Sequence, residues 1–119
     1  MRATGDQFED RASEWLSSQG WQIVCRNFLT PMGELDIIAL HGQSLVFVEV
    51  KVRSSGRFAG AAAAVTRSKQ LKIIRAARAY LKMHREFSQR PCRFDVIAFE
   101  PRQSPAGHRL NWIRAAFSE

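Results

Sequence analysis

Residues 46–54 read VFVEVKVRS. Val46, Phe47, Val48, Val50 and Val52 mark a β-strand with an almost unbroken apolar run, as in strands covered on both faces. Glu49 and Lys51 interrupt that run two residues apart, and the period of two puts them on one face. Two opposite charges at the centre of a buried strand need a reason, and the neighbouring strand supplies a candidate.

Strands are expected over residues 21–28, 34–40 and 45–53, rich in Val, Ile, Leu and aromatics and broken by Pro31-Met32-Gly33 and Gly42-Gln43. Gly42-Gln43 suits a two-residue hairpin, glycine supplying the positive φ. That register sets His41 opposite Ser44, Leu40 opposite Leu45 and Ile38 opposite Phe47. Continued in steps of two, it sets Asp36 opposite Glu49 and Glu34 opposite Lys51. The other face, with Leu35, Ile37, Val46, Val48, Val50 and Val52, is apolar throughout.

Two facing carboxylates with Cβ atoms roughly 5 Å apart repel each other. A divalent cation removes the objection, since Mg²⁺ takes one or two carboxylates and leaves positions for water and phosphate oxygens. Lys51, on the same face, reaches the same phosphate or the attacking water. An acid pair beside a lysine is an apparatus for phosphodiester hydrolysis. The ordinary alternative is a charged strand face, with Glu34–Lys51 a surface ion pair worth less than about 1 kcal/mol. A bulge would turn Asp36 to the wrong face.

Helices flank this unit. The first is expected over residues 5–19, with Thr4 and Gln7 at capping-box spacing and Gly20 as its stop. Phe8, Ala12, Trp15 and Leu16 form its apolar stripe, and Glu9 lies about 20° from Leu16 at 100° per residue. Asp10 and Glu14 point away, so Glu9 is the inward acid. After the loop SSGRFAGAAAAV (54–65), a second helix over 66–85 gathers Ile73, Ile74, Ala77, Tyr80 and Leu81 on one arc. Arg67, Arg75, Arg78, Lys82 and Arg85 fall within about 80° on another. Gln70 sits amid the apolar arc, where an amide needs a partner or a nearby backbone group. RFDVIAFE is then a buried strand, and LNWIRAAF a final strand or short helix. The order α-β-β-β-α-β plus that last element indicates one α/β domain over residues 1–119, a mixed sheet flanked by helices.

Eighteen Lys and Arg against eleven Asp and Glu give a net charge of +7 and favour a polyanionic partner, nucleic acid foremost. Arg53, Arg57, Arg67 and Lys69 stand beside the proposed site, where phosphate contacts would select structure rather than base sequence. No apolar run approaches the roughly 20 residues of a membrane span, and MRATGDQFED lacks a signal-peptide core, so cytoplasmic residence is expected. Cys25 and Cys92 read as small buried hydrophobes, and His41 and His84 as solvated. Trp15, Trp21 and Trp112 read as core, and Asp95 as the partner of Arg93 or another arginine.

Glu9, GELD (33–36), VFVEVKVRS (46–54), TRSKQ (66–70) and CRFDVIAF (92–99) together resemble the YraN-like family of small bacterial proteins. That family is similar to archaeal Holliday-junction resolvases and other PD-(D/E)xK nucleases. The resemblance spans nearly the whole chain and implies a restriction-endonuclease-like core with Mg²⁺ or Mn²⁺ at its site. It implies that Asp36 and Glu49 are the motif's acids, Lys51 its lysine, Glu9 the helix-one glutamate and Gln70 the polar residue of the following helix. Asp36 and Glu49 would hold the cation with the Val50 carbonyl, and Glu9 directly or through water. Phe8 departs from a glycine common in the family, and Leu35 stands where the motif's name has proline. The activity implied is hydrolysis of DNA, more than RNA, at branched or structured sites by a homodimer. The alternatives are a nucleic-acid-binding module of the same fold acting through a partner without catalysis, and a basic protein–protein adaptor.

Overall fold

The computed structural model describes residues 3–53, 65–101 and 107–119. Helix α1 (Ala3–Ser18) begins one residue before Thr4, which therefore lies inside the helix rather than at the expected cap. Gly20 ends it with φ 88°. The Trp21 and Gly20 amides donate to the Leu16 and Ser17 carbonyls at 3.1 and 3.0 Å, a Schellman closure that only an unbranched left-handed residue makes cheaply.

Strands β1 (Gln22–Thr30), β2 (Gly33–His41) and β3 (Ser44–Val52) form an antiparallel meander. A parallel neighbour needs a long crossover. Helix α2 (Arg67–Met83) and a 3-10 turn (Arg85–Phe87) supply it, and β4 (Cys92–Pro101) pairs parallel with β3. The final element is a strand, β5 (His108–Phe117), antiparallel to β4, so the sheet order is β1-β2-β3-β4-β5. Phe8, Ala12 and Leu16 of α1 cover one face through Ile37, Val46, Val48 and Ile97. Ile73, Ala77 and Tyr80 of α2 cover the other through Ile38, Phe47 and Val96. Cover on both faces is why β3 reads as a continuous apolar run.

Helix α2 starts at Thr66, whose hydroxyl accepts the Lys69 amide at 3.2 Å. Thr66→Ala should therefore cost about 1 kcal/mol in urea unfolding.

The β2–β3 hairpin pairs His41 with Ser44, Leu40 with Leu45 and Ile38 with Phe47, as the turn chemistry requires. The ladder ends at Ile37–Val48, so Asp36–Glu49 and Glu34–Lys51 are not the ladder pairs expected. The Val50 amide instead donates to Asp36 Oδ2 at 2.9 Å, and the side chain takes over the role of a strand carbonyl. On the other side Asn27, between the pairs Arg26–Ile37 and Phe28–Leu35, has φ 56°. The alternation breaks there: Leu35, expected on the face of Ile37, packs with Ile38 in the α2-side core.

Candidate active site

Asp36 and Glu49 each remain 8% exposed, at the level of the surrounding core. Although the ladder has ended, their carboxyl groups meet and hydrogen-bond to each other. Burial, and then the Asp36 charge and that hydrogen bond, push the Glu49 carboxyl up to about 8. Lys69 and Lys51 pull in the opposite direction, Lys69 with Nζ 3.7 Å from Glu49 Oε2. Glu49 thus holds a proton at neutral pH.

Three elements make this arrangement. β3 lies centrally in the sheet and presents Glu49, with Lys51 exposed two residues on. β2 brings Asp36, which the Val50 amide fixes. The first turn of α2, set by the Thr66 cap, brings Lys69. Glu49, Lys51, Val65, Thr66 and Lys69 line a cavity of about 170 Å³, acidic on its floor and cationic at its rim. It has room for a few waters or one phosphate group.

The other residues singled out in the sequence are placed unevenly. Glu9 is 3% exposed on the sheet-facing side of α1. Among the described residues no three His, Cys, Asp or Glu side chains converge as a metal-holding group. Gln70 has both ends of its amide engaged: Nε2 donates to the Val65 carbonyl at 3.0 Å, and Oε1 accepts from Arg67 Nη1 at 2.9 Å. It fastens the start of α2, and Arg67 in turn reaches the Ser118 carbonyl at 3.0 Å. Arg53 continues past the β3 end, its amide on the Phe99 carbonyl at 2.9 Å. Arg57 lies outside the described residues.

A second polar centre was only partly legible in the sequence. Asp95 is 0% exposed. It accepts from Arg93 Nε and Nη2 at 3.0 and 3.3 Å, from Trp112 Nε1 at 2.9 Å and from the Ala115 amide at 2.9 Å. His41 is not solvated as expected. Its ring stacks on Trp21 at 4.3 Å and its Nδ1 accepts from Arg93 Nη2 at 2.8 Å. Burial and the Arg93 and Arg114 charges hold its pKa below the usual histidine value. His84 stacks on Tyr80 at 4.2 Å while 37% of its side chain stays exposed, in keeping with the solvated reading. Cys92 is exposed, not buried, because it opens β4 at the sheet's end. Ring partners and strand ends depend on distant residues, so no local signal marks them.

The chain matches the family model described as "Uncharacterised protein family UPF0102" over residues 8–99. It is 50% identical over 115 residues to a UPF0102 protein of Aeromonas hydrophila, covering 95% of this chain and 83% of that one. It is 45% identical over 114 residues to a UPF0102 protein of Alcanivorax borkumensis (96% and 90% covered). It is 43% identical over 119 residues to the UPF0102 protein YraN of Escherichia fergusonii (99% and 86% covered). The family-matched segment contains Glu9, Asp36, Glu49, Lys51 and Lys69.

Proposed function

The chain belongs to the UPF0102 family, and we propose that it is a metal-dependent endonuclease acting on branched or structured DNA. The observation that carries this reading is the buried Asp36–Glu49 pair, whose Glu49 lines a cavity together with Lys51 and Lys69. The donor set fits Mg²⁺ or Mn²⁺: two carboxylates, hard oxygens throughout, in a site where burial and the facing Asp36 charge work against ionised Glu49. Asp36 and Glu49 would hold the ion, with the Val50 carbonyl as a further oxygen. The ion would supply Lewis acidity and a water of lowered pKa.

The protein's own side chains do the rest. Lys51, exposed at the rim, orients the attacking water and stabilises charge developing on the phosphate oxygens. Lys69 sits against Glu49 and becomes available to phosphate once that carboxylate is neutralised by the ion. The +7 charge holds the polyanion against the site. A symmetric four-way junction needs two matched cuts, so on that substrate the working form is a pair of copies.

A second reading, a nucleic-acid-binding module without catalysis, is favoured by two observations: among the described residues no three acids, histidines or cysteines converge, and the Gln70 amide is spent on the helix start. One assay separates the two. The purified protein is incubated with duplex, single-stranded, flap and four-way-junction DNA, with and without Mg²⁺ or Mn²⁺, beside Asp36→Ala and Lys51→Ala. Metal-dependent cleavage lost in both variants is the expected result. Binding without cleavage, unchanged in Asp36→Ala, establishes the module instead. No nucleic-acid binding at low salt sinks both.

A further inference from the structure

Among the described residues four large apolar side chains stand out of the surface: Leu29 at 78% exposure, Met32 at 39%, Leu71 at 37% and Met83 at 68%. Two of them, Leu29 and Met32, belong to the tip that joins β1 to β2. That tip is fixed. Thr30 Oγ1 accepts from the Met32 and Gly33 amides at 3.1 and 3.0 Å and donates to the Gly33 carbonyl at 2.8 Å. Gly33 lies directly over α2, where an added Cβ would sit 3.5 Å from Lys72 Cβ. The tip is thus a braced knob rather than a loose loop.

Beside it runs a line of cations. Leu71, Arg75, Arg78 and Lys82 fall within about 60° of one another at 100° per residue. Arg75, Arg78 and Lys82 are exposed, and with Met32, Ala79 and Met83 they line a groove of about 500 Å³. Arg78 pairs with Glu119 at 3.1 Å, and among the described residues Arg75 and Lys82 have no acidic partner. The occupant of this groove must therefore be anionic and must also offer apolar surface. A second copy of the chain fails the first requirement, since it carries the same +7 and the same basic face.

Nucleic acid meets both requirements, with phosphates outside and base faces within. Its course is consistent with the acid pair. Lys69 and Lys82 lie thirteen residues apart on α2, roughly 20 Å at 1.5 Å per residue. Met32 lies four residues before Asp36 along β2, roughly 13 Å, about four steps of 3.4 Å along a strand. One strand can lie along α2 with one phosphate in the cavity and a base step against the tip.

We propose that the β1–β2 tip, Leu29 and Met32 backed by Met83, is an apolar wedge that opens a base step of nucleic acid whose phosphates lie along α2. The proposal rests on the nucleic-acid reading above and names what the site selects. Inserted apolar side chains unstack a step at a cost of a few kcal/mol. That cost is least where stacking is already broken, so the wedge prefers branch points and mismatches to uniform duplex.

The test uses a four-way junction carrying 2-aminopurine at the branch, and the matching linear duplex, in EDTA so that nothing is cut. The wild-type protein should raise the 2-aminopurine fluorescence of the junction on binding. Leu29→Ser/Met32→Ser should bind within about threefold, with the same salt slope, because the phosphate contacts remain, yet lose the fluorescence rise. Both positions are exposed, so the double variant should keep the wild-type urea midpoint. Arg75→Ala/Lys82→Ala should weaken binding and lower the salt slope by about two. Binding without a fluorescence rise in the wild type, or a rise that survives in the double serine variant, overturns the wedge and leaves the nucleic-acid function standing. No binding to either DNA overturns both.

Discussion

Asp95→Ala is expected to remove about 3–5 kcal/mol of folding stability. The carboxylate is fully buried and serves four donors at once. It also holds a defect in the sheet together. Phe94 pairs with Phe117 and Val96 with Ile113, so the single residue 95 of β4 faces the three residues 114–116 of β5. The extra β5 residues cannot all find ladder partners, and Ala115 adopts a left-handed φ of 50°. Asp95 Oδ1 accepts the amide that this bulge releases. Truncation leaves the Trp112 indole N–H and that amide without an acceptor and the Arg93 guanidinium with His41 Nδ1 in place of a carboxylate, and each loss costs free energy in a desolvated site. Domains of this kind hold about 5–15 kcal/mol in total. Asp95→Ala should therefore be largely unfolded in moderate urea, and Asp95→Asn, which keeps one acceptor and loses the charge, should fall between. A urea midpoint within about 1 kcal/mol of wild type would show the network to be dispensable.

Glu49→Gln is expected to act in the opposite direction at alkaline pH, in metal-free buffer. The Glu49 carboxyl is raised from 4.5 to about 8 in the folded protein. Between those values the folded state holds a proton that the unfolded state has released. Its stabilising contribution is fully present below about 4.5 and is lost as pH rises through about 8. Wild-type protein in EDTA should thus lose on the order of a few kcal/mol from this group as pH rises across that window. Glu49→Gln should lack this part of the slope and be the more stable protein at pH near 8.5. Mg²⁺ or Mn²⁺ at that pH should restore the wild type by binding only the folded state, and should do nothing for the variant. Parallel melting curves for the two proteins from acid to alkaline pH would mean that the Glu49 carboxyl is not raised in the folded protein.

Much of the architecture was legible because it is written locally. Gly20 stops α1, Gly42-Gln43 turns the hairpin, and the run from Val46 to Val52 announces a buried strand. The hairpin register held for as long as both strands kept their pleat. It ended at Asp36, where a side chain replaced a carbonyl on Val50 and the left-handed Asn27 broke the alternation. Neither event has a signature in residue order. Gln70 was visible as an amide in an apolar arc, but its partners, Val65 and Arg67, are set by how the helix begins. His41 shows no sign of its fate in the sequence, since Trp21 and Arg93 arrive from other strands.

By itself, the sequence determined the elements from α1 to β4, their order, the burial of β3 and the presence of acids and a lysine on adjacent strands, and it left the last element open between strand and helix. Those follow from periodicity and turn stereochemistry, which act over a few residues. Only the tertiary structure decided that Asp36 and Glu49 touch without being ladder partners, and that Lys69, twenty positions after Glu49, closes on it from α2. It alone set the proton on Glu49, because the affinity of a carboxylate for a proton depends on the water that the surrounding elements exclude and on the charges they bring near. Neither property belongs to any single stretch of chain.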